Sequence, residues 1–170
     1  LDSLKKCINS DLANNYGNLC QRVFSFIKNN CNSKVERKGF LSKADEKIIK
    51  QTTDLTKNLR NLIDNQNLNG YIKSVIDISF ITNKYINDEE PWKLKKNDEK
   101  KMNNILHVSL EQIAKISILL NPIIPMATNK ILDALKIKNE ERNYSFIEGK
   151  KIISDQVIID PINILFKKID

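Results

Sequence analysis

The sequence predicts an all-α fold, an antiparallel helical bundle followed by an extended C-terminal tail. Apolar residues recur at steps of three and four along most of the chain, which is the period of an amphipathic helix. Only four Gly and four Pro occur among 170 residues, so long stretches lack the residues that interrupt helices. With 41% hydrophobic and 29% charged residues, the composition is that of a globular protein. We therefore expect residues 1–170 to form one domain.

The first predicted helix runs from about Ser3 to Asn29, with an apolar stripe between Leu4 and Ile27. Gly17 lies inside this stripe, where glycine costs about 1 kcal/mol relative to alanine. A glycine kept at such a position indicates that another segment approaches closely. Residues 30–40 contain charged residues, Ser and Gly, and we predict a loop there.

The second and third predicted helices are bounded by clear signals. Ser42 begins the second helix, and Asp45 three residues later resembles its capping-box partner. The apolar stripe of this helix extends from Ile48 to Ile63. The third helix carries apolar residues between positions 68 and 86, and it ends before Pro91 because proline lacks the N–H that a helix interior needs.

A fourth and a fifth helix complete the predicted bundle. Asn97 is the predicted N-cap of the fourth helix, because acidic residues then occupy its first turn. This helix ends at Asn121, and Pro125 fits the first turn of the fifth. The five main helices end at about residue 137. Residues 154–166 are rich in Ile and Val and are interrupted by Pro161, which predicts an extended tail lying on the bundle.

The overall charge suits a polyanionic partner. The net charge is +7 and the isoelectric point about 9.2, and binding of basic residues to phosphates releases counterions. The chain is also rich in Asn, Lys and Ile, whose codons are A/T-rich, so genome composition explains the lysines equally well. No apolar run is long enough for a membrane span, and we expect no membrane partner. Three cysteines without a secretory signal predict reduced thiols and a cytoplasmic protein.

The sequence contains no recognisable catalytic, metal-binding or phosphate-binding motif. The single histidine, His107, cannot form a metal pair, and because it falls off the apolar stripe we expect it to be solvated. The four scattered glycines form no phosphate-binding loop. The acidic cluster at residues 88–90 is typical of a solvated helix end rather than a metal site. We therefore expect neither catalytic residues nor a cofactor in this chain.

Two groups of residues suit recognition of an unpaired base. Asn14, Asn18 and Arg22 step by four and share one helix face, and an amide and a guanidinium on one face can bond a base edge. Trp92, the only tryptophan, follows Pro91 at a helix end, where a base could stack on it. The pattern alone leaves simpler alternatives open. These are a core tryptophan, an ordinary polar helix face, and solvated lysines after Trp92 rather than phosphate contacts.

Three segments resemble the C-terminal half of bacterial methionyl-tRNA synthetases in their order and spacing. They are residues 8–22, INSDLANNYGNLCQR; residues 83–92, NKYINDEEPW; and residues 118–126, ILLNPIIPM. The closing residues 164–169, ILFKKI, resemble the end of the shorter family members. The resemblance covers essentially the whole chain. Its third segment is the least specific, because it is similar to related class I synthetases for Leu, Ile, Val and Cys.

The resemblance implies the α-helical anticodon-binding fold of class I synthetases. It implies a parent enzyme that joins methionine to its tRNA with ATP and Mg²⁺, through a catalytic half outside a chain that begins at Leu1. The implied partners are the CAU anticodon stem-loop of tRNA(Met) and the parent's own catalytic domain. A monomer is expected, because the C-terminal dimerisation extension of some relatives is missing. The family's anticodon contacts fall on Asn18, Arg22 and Trp92, with Asn14 and Pro91 beside them.

Two other functions compete with this one. A helical protein-interaction module would expose an apolar groove rather than a polar face with one aromatic residue. The anticodon domain of another class I synthetase would share the fold, but the pairs Asn18–Arg22 and Pro91–Trp92 argue against it.

Overall fold

The structure is a computed structural model, and it describes residues 8–148 and 151–166. The all-α prediction is confirmed, because helices account for most of the described residues. The helical elements are a π-helical segment Ile8–Gly17, α1 Asn18–Asn30, α2 Lys43–Lys57, α3 Leu59–Asp64, α4 Leu68–Glu89, α5 Pro91–Leu94, α6 Glu99–Leu120, α7 Pro125–Ala134, a 3₁₀ turn Asn139–Glu141, and α8 Tyr144–Ile147. Two short strands are β1 Lys34–Glu36 and β2 Gln156–Ile158.

The long helix α6 is the centre of the bundle. It is buried around its whole circumference, with α1, α2, α4 and α7 packed against it. Tyr71 on α4 donates to the carbonyl of Leu119 at 2.7 Å, and the Tyr16 hydroxyl lies 2.7 Å from Ser117 Oγ. Because the start of α4 therefore meets the end of α6, these two helices are antiparallel.

The expectation that His107 is solvated is wrong. His107 lies on α6 and is fully buried, because a central helix buries the faces that a surface helix would leave to solvent. Its Nε2 lies 2.8 Å from the backbone oxygen of Ser154 in the tail. Burial lowers the pKa of His107 below its ordinary value, and Nδ1 has no hydrogen-bond partner among the described residues.

The helix boundaries follow the predicted signals, with two corrections. The second predicted helix, whose stripe was expected to reach Ile63, is divided at Asn58 into α2 and α3, because the Asn58 N–H bonds the carbonyl of Thr56 instead of the one four residues earlier. Ser42 and Asp45 form the full capping box of α2, with hydrogen bonds of 3.2 and 2.8 Å. The N-cap of α6 is Asp98 rather than the predicted Asn97, because the Asp98 carboxylate accepts from the backbone N–H of Lys101 at 2.9 Å. A carboxylate satisfies this orphan donor and also complements the helix dipole.

The first helix differs from the prediction in its winding. Residues 8–17 form a π-helix that continues directly into α1, whereas the pattern predicted one α-helix from Ser3. The predicted residues 3–7 lie outside the described part of the chain. The close approach predicted at Gly17 is present, since a Cβ there would lie 3.0 Å from a ring carbon of Phe166 in the tail.

The C-terminal tail runs along the bundle as predicted. Strand β2 pairs antiparallel with β1, with Val157 opposite Val35, and the N–H of Ile159 donates to the carbonyl of Ser33 at 2.9 Å. The sequence predicted only a loop where β1 lies, because a strand of three residues leaves no periodic signal. In the described residues, no helix combines the length and the apolar character that crossing a bilayer requires.

Candidate nucleic-acid interface

The junction between α4 and α5 places Trp92 at the surface. Helix α4 ends at Glu89, and Glu90 adopts a left-handed conformation with φ 44° and ψ 58°. The buried Pro91 then begins α5, so the chain turns sharply and Trp92 is left 42% exposed. A left-handed residue other than glycine costs about 1–2 kcal/mol. Trp92 is therefore half-buried, with part of its ring surface free, rather than the core residue that the pattern also allowed.

Arg22 from α1 lies beside this tryptophan. Its guanidinium carbon is 5.8 Å from the centroid of the Trp92 ring, within the range of a cation–π contact. The same guanidinium donates through Nη2 to Asn87 Oδ1 on α4 at 2.8 Å. Because two helices hold the flexible Arg22 side chain, part of the entropy cost of ordering it is already met before any ligand binds.

Trp92 and Arg22 border an open cleft of about 360 Å³. Its walls are mainly apolar, and Arg22 is the one charged residue among them. The lining residues are Arg22, Val23, Phe26, Ile86, Pro91, Trp92 and Leu106. A half-exposed indole, an apolar floor and a guanidinium at the rim suit a flat aromatic group that carries hydrogen-bond acceptors.

Asn18 begins α1, one turn before Arg22, and Asn14 lies in the preceding π-helical segment. Both side chains are exposed, and neither lines the Trp92 cleft. The Asn18 amide nitrogen donates to the backbone oxygen of Asn14 at 3.0 Å. One of the two N–H groups of the Asn18 amide is thus engaged, which leaves its second N–H as a donor and its amide oxygen as an acceptor. Arg22 also keeps donors available, because only one of its nitrogens bonds Asn87.

The acidic cluster at residues 88–90 is neutralised by lysines. Each carboxylate lies within 3.0 Å of a lysine amine: Lys84–Asp88 at 2.8 Å, Lys101–Glu89 at 3.0 Å and Lys93–Glu90 at 2.8 Å. Across the described ranges, no grouping of His, Cys, Asp and Glu is suited to hold a metal ion. Beyond these pairs, Lys95 donates to the neutral Asn30 Oδ1 at 3.2 Å and Lys96 is exposed, so positive charge remains next to Trp92.

A larger cleft of about 800 Å³ lies elsewhere, between α2, α6 and α8, and shares no lining residue with the Trp92 cleft. Lys115 lines it and is 7% exposed, with its amine 3.4 Å from Thr52 Oγ1. Burial lowers the pKa of Lys115 below its ordinary value.

The structure brings together Arg22, Pro91 and Trp92, and it adds Asn87, which the sequence analysis did not single out. Asn87 lies inside the segment 83–92, four residues before Pro91. A polar residue one helical turn before the proline was the available signal. Its contact with α1 depends on how two distant helices pack, and helical periodicity carries no information about that.

The fold is the helical fold found within aminoacyl-tRNA synthetases. The free form of the Mycobacterium tuberculosis methionyl-tRNA synthetase superposes with a TM-score of 0.90 at 25% identity, over 99% of this chain and 34% of that chain. The same enzyme bound by methionyl-adenylate gives a TM-score of 0.89 over 98% of this chain and 33% of that chain.

Residues 35–170 match the family described as the anticodon binding domain of methionyl tRNA ligase, and the chain belongs to this family. Methionine–tRNA ligase of Rickettsia conorii (strain Malish 7) is 37% identical over 161 residues, covering 89% of this chain and 32% of that protein. The Brucella suis biovar 1 protein of the same name is 34% identical over 137 residues, covering 81% and 27%. The chain thus spans a third or less of the length of these relatives. Trp92 lies within the family match, whereas Arg22 and Asn18 precede it.

Proposed function

We propose that this chain binds the anticodon loop of tRNA(Met) at the Trp92 cleft. The observation that supports this most directly is the guanidinium of Arg22 held 5.8 Å from the half-exposed ring of Trp92. Anticodon bases are unpaired and can be splayed onto an aromatic side chain, which is the usual way in which RNA sequence is read. Stacking on such a ring contributes about 1–3 kcal/mol per base.

Arg22 beside Trp92, together with Asn18 one helical turn before it on α1, favours cytosine as the stacked base, which is the first base of a CAU anticodon. Cytosine carries an amino donor at N4, whereas uracil carries an acceptor, O4, at that position. The Asn18 amide oxygen can accept from the amino group but not from the carbonyl of uracil. Arg22 supplies donors for the acceptors on the Watson–Crick edge of the base.

The surrounding lysines supply contacts that do not depend on sequence. Lys95 and Lys96 lie three and four residues after Trp92 and extend the positive surface beside the cleft. Phosphate contacts position an RNA without reading its bases, and each one steepens the dependence of affinity on salt. We expect Asn14 to act through its backbone oxygen, which holds the Asn18 amide.

We further propose that the whole parent protein is a cytoplasmic methionine–tRNA ligase that works as a monomer. Its ATP and Mg²⁺ would be bound by a catalytic domain outside this chain, and that domain would be a second partner. The purified 170-residue chain should then give no methionine-dependent exchange of pyrophosphate into ATP. Exchange above background by this chain would contradict the proposed division of labour.

A direct test titrates the chain with an RNA hairpin carrying a CAU loop, at two salt concentrations. Trp92 is the only tryptophan, so quenching of its fluorescence reports a base stacked on it. We expect binding with quenching, and a Lys96→Ala variant with a flatter salt dependence. Trp92→Ala has no tryptophan, so its affinity is measured by the fluorescence anisotropy of a dye-labelled hairpin, and we expect it to be about ten- to hundredfold weaker than that of the wild type in the same assay. If a folded Trp92→Ala variant binds the hairpin as tightly as the wild type does, the anticodon loop does not bind at the Trp92 cleft.

A further inference from the structure

Phe40 is the most exposed large hydrophobic side chain in the described part of the chain, at 97% exposed. It lies in the loop of residues 37–42 between β1 and α2, which we call the Phe40 loop. Full exposure of an aromatic ring gains nothing for folding, since it buries no surface. The ring therefore contributes nothing to the core of this chain.

The Phe40 loop is held in place by a buried side chain on α6. Asn104 is 4% exposed, and its amide makes three hydrogen bonds to the backbone of this loop. Its oxygen accepts from the N–H of Lys38 at 2.8 Å, and its nitrogen donates to the carbonyls of Lys38 at 3.0 Å and of Phe40 at 3.3 Å. A buried amide with its polar atoms satisfied in this way fixes the backbone on either side of Phe40.

The Phe40 loop and Trp92 lie at the same end of the bundle, on opposite sides of α6. Leu106 lines the Trp92 cleft, and Asn104, two residues earlier, points about 200° away around the helix. Helix α2, which follows this loop, contacts the end of α4, where the Tyr85 hydroxyl donates to Asp45 at 2.5 Å. The two aromatic residues thus flank the same stretch of α6, on opposite sides of that helix.

The surroundings of Phe40 are basic rather than apolar. Lys38, Lys43 and Lys100 are exposed, and the Lys100 amine lies 2.6 Å from where a Cβ on Gly39 would be. The Glu36 carboxylate lies 3.5 Å from the Lys38 amine and offsets its charge. A protein-docking surface would need a contiguous apolar patch. One aromatic ring among cations instead matches the pattern of single-stranded nucleic-acid sites, in which bases stack and phosphates pair with lysines.

We propose that Phe40 is a second stacking platform, which receives another unpaired nucleobase of the same RNA whose anticodon base stacks on Trp92. This inference rests on the proposed function, because it needs the RNA to be bound at this end of the bundle. The ligand at Phe40 is a loop nucleotide outside the base held at Trp92. Because stacking on an aromatic ring is tolerant of sequence, the platform accepts any base and adds affinity rather than sequence preference.

Substitutions at Phe40 test the proposal cleanly, because a side chain that is 97% exposed can be changed without loss of stability. The probe is a CAU-loop RNA hairpin with 2-aminopurine at a loop position next to the anticodon, whose fluorescence falls on stacking. Phe40→Ala should weaken binding about five- to hundredfold and remove the 2-aminopurine quenching. Phe40→Leu should be similarly weak, because it is apolar without a π face, and Phe40→Trp should restore both signals.

Two controls separate the possible failures. Phe80→Ala removes another exposed phenylalanine, near the middle of α4 and outside the Trp92 cleft, and should leave binding unchanged. If Trp92→Ala weakens binding while Phe40→Ala does not, the second platform is wrong and the anticodon site stands. Wild-type affinity in Phe40→Leu would also overturn stacking and indicate a simple apolar contact. If neither aromatic substitution weakens binding, the proposed function itself fails.

Discussion

The hydrogen bond between Arg22 and Asn87 provides a sensitive test of how the site is organised. Asn87→Ala removes the acceptor that holds the guanidinium at 2.8 Å and leaves Arg22 and Trp92 intact. Both partners are exposed, so solvent screens the contact and limits it to about 0.2–1 kcal/mol of folding stability. Alanine also has a better helix propensity than asparagine, by about 0.5 kcal/mol. This gain offsets much of the stability lost with the hydrogen bond, so the thermal midpoint alone would change little.

A matched substitution removes the propensity effect. Asn69 is an exposed asparagine on the same helix, α4, and is remote from the Trp92 cleft. Asn69→Ala should gain the helix propensity without losing a contact to Arg22. The difference in unfolding free energy between the two variants then gives the contribution of the hydrogen bond, which we expect to be below about 1 kcal/mol.

The effect on RNA binding should be clearer than the effect on stability. Without Asn87 the Arg22 side chain must be ordered when RNA binds, at a cost of about 0.5–1 kcal/mol. Since 1.4 kcal/mol of binding free energy corresponds to a tenfold change in affinity, this cost predicts that Asn87→Ala binds a CAU-loop hairpin about two- to fivefold more weakly. Asn69→Ala should bind like the wild type. Equal affinity for Asn87→Ala and Asn69→Ala would show that Asn87 does not position Arg22.

Three further substitutions test the fold around the site by thermal or urea unfolding. Burial lowers the pKa of His107 from its ordinary 6.5, so as the pH falls His107 is protonated in the unfolded chain before it is protonated in the folded chain. Stability should hold above that pH and fall as the pH drops below it, whereas His107→Gln should lose this slope. Glu90→Gly should raise the unfolding free energy by about 0.5–1 kcal/mol, because glycine adopts the left-handed conformation without strain; an unchanged or lower value would contradict that strain. Lys115→Met should stabilise the fold by about 1 kcal/mol near neutral pH. This gain should shrink above the folded pKa of Lys115, which lies below the ordinary 10.5, and a destabilised variant would mean that the amine has a favourable partner.

Local signals in the sequence predicted most of the helices, because helix ends depend on neighbouring residues. The capping box at Ser42 and Asp45, the break at Pro91 and the start at Pro125 are each defined within one turn of backbone, and each lies where the pattern placed it. The misplaced N-cap of α6 differs by one residue, since Asn97 and Asp98 are both good caps and the choice depends on the final backbone conformation.

Features that depend on packing between distant segments were not predictable in this way. His107 was expected to be solvated because a single helical stripe cannot show that other helices surround α6 on every side. Strand β1 exists because β2 in the tail pairs with it. At the candidate site, motif spacing singled out Arg22 and Trp92, whereas the contact of Arg22 with Asn87 arises only when α1 and α4 lie side by side.

Discrimination between cytosine and uracil tests the central proposal most directly. The measurement is the ratio of affinities of the chain for two hairpins that differ only in the first anticodon base, CAU and UAU. A base read by hydrogen bonds is discriminated by about 1–3 kcal/mol, so we predict a preference for CAU of about tenfold or more. Asn18→Ala and Arg22→Ala should bring the ratio towards one, and Trp92→Ala should weaken both hairpins. Equal binding of the two hairpins by the wild-type chain, or an unchanged ratio in folded Asn18→Ala and Arg22→Ala variants, would contradict anticodon reading at this site.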